Sequence, residues 1–127
     1  MNQNNSARIK GKSILVVDDE EGILDVLSII LSDEGAIVTT ALNGNQAVEL
    51  LKKSTFDIMI CDLTMPDGDG RSVLKFAKTL GDKKPKTLVC SGNLNFNPGE
   101  AEELLVDMVT EKVMSGDDLV ELVNQLA

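Results

Sequence analysis

The chain has 127 residues, 43% hydrophobic and 26% charged, enough for one domain with a single core and too apolar for a disordered chain. Its formal net charge of −9 argues against direct binding of nucleic acid, because a phosphate backbone needs clustered Lys and Arg. There is no histidine, which excludes Ser-His-Asp and Cys-His catalysis, and no apolar run approaches a membrane span or a signal-peptide core. The expectation is a soluble, cytoplasmic protein without membrane contact.

Residues 1–11 are polar and lack apolar periodicity, so they read as a disordered N-terminal tail ahead of one domain over 12–127. Ile14 to Val17 is a β-branched run that ends in Asp18, Asp19, Glu20 and Glu21, a first strand finishing in carboxylates. Ile23, Val26, Leu27, Ile30 and Leu31 then recur at helical spacing, and Gly35 closes that helix. Ala36 to Ala41 is a short second strand. Asn43 and Gln46 form a capping pair for a helix with Ala47, Leu50 and Leu51 on one face.

The third strand, over 57–61, is a continuous apolar run that stops abruptly at Asp62, with Pro66, Gly68 and Gly70 following as turn-formers. Arg71 to about Leu80 is a third helix with Val73, Leu74 and Ala77 inward, terminated by Gly81 and Pro85. Thr87 to Cys90 is a fourth strand leading to Ser91. Pro98 occupies the first position of a fourth helix ending near Val106. Met108 to Thr110 is a weak fifth strand. Ser115 with Asp118 caps a last helix whose Leu119, Leu122, Val123 and Leu126 share a face. Cys61 and Cys90 each precede a candidate functional residue, so alternation should turn each thiol away from that neighbour, as a buried, reduced, small apolar group.

Strand and helix alternate five times, which predicts an α/β fold with a five-stranded parallel sheet and helices on both faces. Right-handed crossovers leave few topologies, and the flavodoxin-like three-layer (βα)5 order 2-1-3-4-5 places strands one and three together at the switch point. On that topology Asp18, Asp19 and Asp62 converge on the carboxyl rim of the sheet. Three crowded carboxylates repel one another, and a hard divalent cation with oxygen ligands, Mg²⁺ above all, would hold them together. Asp62 would then accept a phosphoryl group, with the Ser91 hydroxyl and the Lys112 ammonium reaching the same rim from the ends of strands four and five.

These parts resemble the receiver domain of two-component response regulators, carried by Val16 to Glu20, by Asp62 to Gly70, by Ser91-Gly92 and by Lys112. The resemblance covers nearly the whole chain from Lys12. It implies that Asp62 takes its phosphoryl group from a sensor histidine kinase or a histidine phosphotransfer protein. It also implies that Asp19, Asp62 and the backbone carbonyl of Thr64 ligate Mg²⁺, with Asp18 acting through water. Ser91 and Lys112 would read the phosphoryl group, Thr64 and Asn93 would flank the attacking water, and the acyl phosphate would hydrolyse slowly on the domain itself. A switched downstream protein partner completes the implied picture; the oligomeric state is left open, with a homodimer through an exposed helical face as one possibility.

Other readings stand beside it. Asp18 and Asp19 would also serve as an N-cap pair, Lys112 as a solvated side chain and Ser91 as a turn residue. A phosphohydrolase with an Asp nucleophile would carry a second Asp two residues on, where this chain has Thr64. Three positions depart from the receiver pattern: Lys112 is followed by Val113 instead of Pro, the aromatic of strand five is replaced by Val109, and residues 92–99 are rich in Asn and Gly. These departures keep open a pseudo-receiver, a constitutive protein-interaction module with the same fold. With no output domain after Ala127, the chain is expected to act alone through protein contacts or as a piece of a larger regulator.

Overall fold

The structure, a computed structural model, describes residues 9–63, 70–91, 97–111 and 115–127, with the side chain of Ser91 outside that description. Five strands, β1 (Ser13–Val17), β2 (Ile37–Ala41), β3 (Ile58–Asp62), β4 (Lys86–Ser91) and β5 (Met108–Glu111), alternate with five helices. The helices are α1 (Glu21–Asp33), α2 (Gly44–Lys53), α3 (Gly70–Lys78), α4 (Pro98–Glu103) and α5 (Gly116–Leu126), with a 3-10 turn at Gly81–Lys83. The strands form one sheet in the order β2-β1-β3-β4-β5, every pairing parallel, as the alternation predicts.

A central parallel strand is covered on both faces, so it reads as an unbroken apolar run. All five residues of β3 are buried, and alternation sends them to two separate cores. Met59 and Cys61 join Leu15, Val17 and Val89 beneath Leu51, Val73, Leu74 and Ala77, the faces of α2 and α3. Ile58 and Ile60 join Ile14, Val16, Leu88 and Cys90 beneath Leu24 and Leu31 of α1 and Leu119 and Val123 of α5. Each such side chain contributes about 1.5–3 kcal/mol on burial, so the centre of the sheet carries most of the hydrophobic stabilisation. The edges are short and only partly covered: Ile37 in β2 is exposed and no residue of β5 is fully buried.

Local chemistry sets the helix ends. The Asn43 side chain accepts the N–H of Gln46 at 2.9 Å, and the Gln46 side chain accepts that of Leu42 at 2.8 Å, a reciprocal cap for α2. Asn97 and Ser115 accept the N–H groups of Glu100 and Asp118 in the same way. At the end of α1, Ala36 N–H bonds to Leu31 and Gly35 N–H to Ser32, with Gly35 at φ +93°. This is the turn that favours glycine, and a Cβ there would also lie 2.8 Å from Lys10 Cγ.

The structure corrects some sequence boundaries. Ile9, expected in the frayed tail, is fully buried in the α1/α5 core, and Gly11 donates to Gly35, so packing begins before residue 12. A single apolar side chain among polar neighbours gives no periodicity to read. α3 stops at Lys78 and the chain turns before Gly81; α4 stops at Glu103 instead of continuing toward Val106.

Candidate functional site

The strand register brings the candidate carboxylates to one level. β1 pairs Val17 with Cys61 of β3, so the next residues along, Asp18 and Asp62, meet the carboxyl rim together. β3 pairs Asp62 with Cys90, which places Ser91, the last residue of β4, one step beyond. Asp62 therefore ends β3 as its last residue and belongs to the face of Ile58 and Ile60. Asp18 and Asp62 line one cavity of about 320 Å³ between the sheet, α1 and α5, with Val16, Ile23, Leu27 and Leu119 among its mostly apolar walls. Both carboxylates are nearly withdrawn from solvent, at 2% exposure for Asp62 and 3% for Asp18. Two ionisable groups are held that deep only when something compensates their charge.

The segment after β1 folds back on itself. Asp18 N–H continues the ladder to Ala41, while Asp18 Oδ1 accepts the N–H of Glu20 at 2.9 Å, a turn that Asp favours. The N-cap of α1 is Glu20, so neither Asp18 nor Asp19 fills that position. Carboxylate oxygens of Asp18, Asp19 and Glu20 all lie within 4.8 Å of one another, with Asp18 buried and the other two exposed. Hard oxygen donors at that separation fit a divalent cation such as Mg²⁺. Glu20 was not among the expected ligands, although it stands inside the acidic run Asp18 to Glu21. Asp62 shares the cavity with Asp18 and is not a member of that close group.

Thr64 and Lys112 lie outside the described residues, as do Asn93, Pro66 and Gly68. Of Ser91 the strand position is described and the side chain is not. Both cysteines are buried and not disulfide-bonded. Cys61 faces the α2/α3 core, opposite Asp62, as expected. Cys90 lies on the other core and lines the cavity beside Asp62, because residues paired across parallel strands share a face.

Gly70 fixes the backbone beneath the carboxylate. A Cβ at this position would stand 2.4 Å from the carbonyl oxygen of Asp62, closer than any side chain tolerates, and a tight 3.0 Å from Leu63 Cα. α3 can therefore start against the end of β3 only with glycine here. Cys61 Sγ lies 3.6 Å from the same carbonyl and 3.9 Å from that of Gly70, filling the space behind the site.

Residues 14–125 match the family model described as the response regulator receiver domain. The chain belongs to that family. Among the relatives of this receiver domain, the Regulator of RpoS from Escherichia coli (strain K12) is 40% identical over 86 residues. That match covers 68% of this chain and 25% of the relative, so the chain spans about a quarter of that protein's length. Response regulator TrrA from Thermotoga maritima, solved in complex with Mg(2+)-BeF, is 29% identical with a TM-score of 0.80, covering 91% of this chain and 99% of that one. Chemotaxis protein CheY4 of Vibrio cholerae shares the fold at a TM-score of 0.84 and 24% identity, over 92% of this chain and 99% of that one. As a receiver domain the chain is a two-component signalling module of minimal catalysis, not a turnover enzyme. No helix among its described residues is long and apolar enough to cross a membrane.

Proposed function

We propose that Asp62 accepts a phosphoryl group from a phosphohistidine on a separate sensor kinase or phosphotransfer protein, and that the modified domain switches its protein contacts. These 127 residues contain no histidine, so the donor histidine lies outside them. The observation that carries this reading is a 98%-withdrawn carboxylate at the end of the central strand, lining one cavity with Asp18. One Asp62 oxygen attacks phosphorus; the bond from phosphorus to the donor's ring nitrogen breaks, and the imidazole leaves with that electron pair. Asp18, Asp19 and Asp62, with the carbonyl of Thr64, would hold Mg²⁺, which when bound neutralises charge between the carboxylate and the incoming oxygens. Ser91 and Lys112 would bind phosphoryl oxygens, and Glu20 would add a carboxylate near the ion. Water attack at phosphorus breaks the bond to the Asp62 oxygen, releasing inorganic phosphate and returning Asp62 to its carboxylate.

A small phosphodonor tests this without the kinase. Acetyl phosphate with Mg²⁺ should add one phosphoryl group to the wild-type chain by intact mass and none to Asp62→Asn, and chelating the metal should remove the gain. Val109 and the short α4 favour a second reading, the pseudo-receiver that binds partners constitutively. Absence of any adduct on the wild type, with acetyl phosphate or a kinase, would select it.

A further inference from the structure

Helix α4 is attached differently from the other four. None of its six residues is buried; Ala101 is partly covered, and only Leu104, just past its end, enters the α2/α3 core. A helix this short has little stability of its own. Two side chains of α3 hold it. Arg71 spans both carboxylate oxygens of Glu100, through Nε to Oε2 and through Nη2 to Oε1 at 3.2 Å. Lys78 Nζ donates to the carbonyl oxygen of Glu103 at 2.6 Å. The Arg71–Glu100 pair is about one-third and one-quarter exposed, so it contributes modestly and is readily exchanged for water.

The anchor on the other side is sterically tight. Arg71 directly follows Gly70, whose backbone leaves no space for a Cβ against the carbonyl of Asp62. Glu100 is therefore two links from the candidate phosphoacceptor: Asp62 to the Gly70–Arg71 backbone through close contact, then Arg71 to Glu100 through a planar two-bond fork. Such a fork is directional, so a small shift or rotation of the start of α3 breaks one of its two bonds. Val109, partly buried on β5, offers no aromatic ring to rotate between the site and the α4 side.

We propose that the Arg71–Glu100 pair is the latch through which the state of Asp62 is passed to α4. This rests on the phosphoacceptor reading and deepens it. The latch closes α4 on α3 in one state and releases or re-seats it in the other, an equilibrium that a weak pair leaves easy to shift.

Backbone amide exchange over residues 98–106 tests it, with beryllofluoride and Mg²⁺ as the phosphoryl analogue and acetyl phosphate adduct mass as a separate readout. In the wild type the analogue should change exchange across 98–106. Glu100→Gln should raise exchange there about two- to fivefold without analogue. It should also abolish the further change while adduct formation stays at the wild-type level. The charge-swapped pair, Arg71→Glu with Glu100→Arg, should restore part of the response. A full analogue response in Glu100→Gln would overturn the latch. No adduct on the wild type would instead remove the phosphoacceptor reading, and the coupling with it, even if resting exchange still followed the ion pair.

Discussion

Helices α1 and α4 end in the same hydrogen-bonded turn, built from different residues. In α1 the left-handed position is Gly35, with Ala36 bonded to Leu31 and Gly35 to Ser32. In α4 it is Leu105, at φ +59°, with Val106 bonded to Ala101 and Leu105 to Glu102. A side chain in that conformation costs about 1–2 kcal/mol. The contrast extends to their surroundings. α1 lies on strands whose inward residues are fully buried and which end in the carboxylates. α4 precedes an edge strand with no fully buried residue and is held by a partly exposed ion pair. The difference suggests a division of labour: a rigid half that holds chemistry in place, and a marginal half that can move when the chemistry occurs.

Substitutions can break that comparison. Met59→Ala, in the fully buried centre of β3, should cost about 2–5 kcal/mol in chemical denaturation, from lost burial plus the cavity left behind. Val109→Ala in β5 should cost only about 1 kcal/mol; equal losses would mean the two halves are equally packed. Gly70→Ala should cost about 1–3 kcal/mol, because the clash is with backbone, and should slow phosphoryl uptake from acetyl phosphate by displacing Asp62. Gly35→Ala should lose about 1–2 kcal/mol to the left-handed backbone and to contact with Lys10. Leu105→Gly should do the reverse and raise stability by no more than about 1 kcal/mol, since strain relief is partly offset by glycine's greater freedom in the unfolded chain. A loss there would show that exposed Leu105 makes contacts worth more than its strain.

The smallest effect is with pH. The hydrogen bond from Arg71 holds the Glu100 carboxyl below its ordinary value of 4.5, aided by the charge of Arg71, a backbone hydrogen bond from Asn97 and the charge of Lys75, and opposed by desolvation. A folded-state pKa below the unfolded one gives stability that is present above 4.5 and lost as pH falls through the depressed value. Protection over 98–106, taken relative to the intrinsic exchange rate at each pH, should therefore fall on acidification below that point, and Glu100→Gln should remove this dependence.

The strand order and both cores were legible because parallel strands buried on two faces leave continuous apolar runs, as in Ile58 to Cys61, and because strand–helix alternation admits few topologies. The convergence of Asp18 and Asp62 followed from the same register. Three features were not legible. Ile9 packs alone out of a polar segment, which no periodic pattern can announce. Glu20 joins Asp18 and Asp19 through a local turn whose direction depends on one side chain-to-backbone bond. Arg71 and Glu100 are 29 residues apart and meet only because α3 and α4 lie on the same face of the sheet.

The most direct measurement locates the modified residue chemically. After incubation with acetyl phosphate and Mg²⁺, borohydride reduction converts an aspartyl phosphate to homoserine, and peptide mass spectrometry reads its position. Homoserine at residue 62 alone, absent when the metal is chelated, is the result this account predicts. Label at another carboxylate, or none while the protein remains folded, would contradict it.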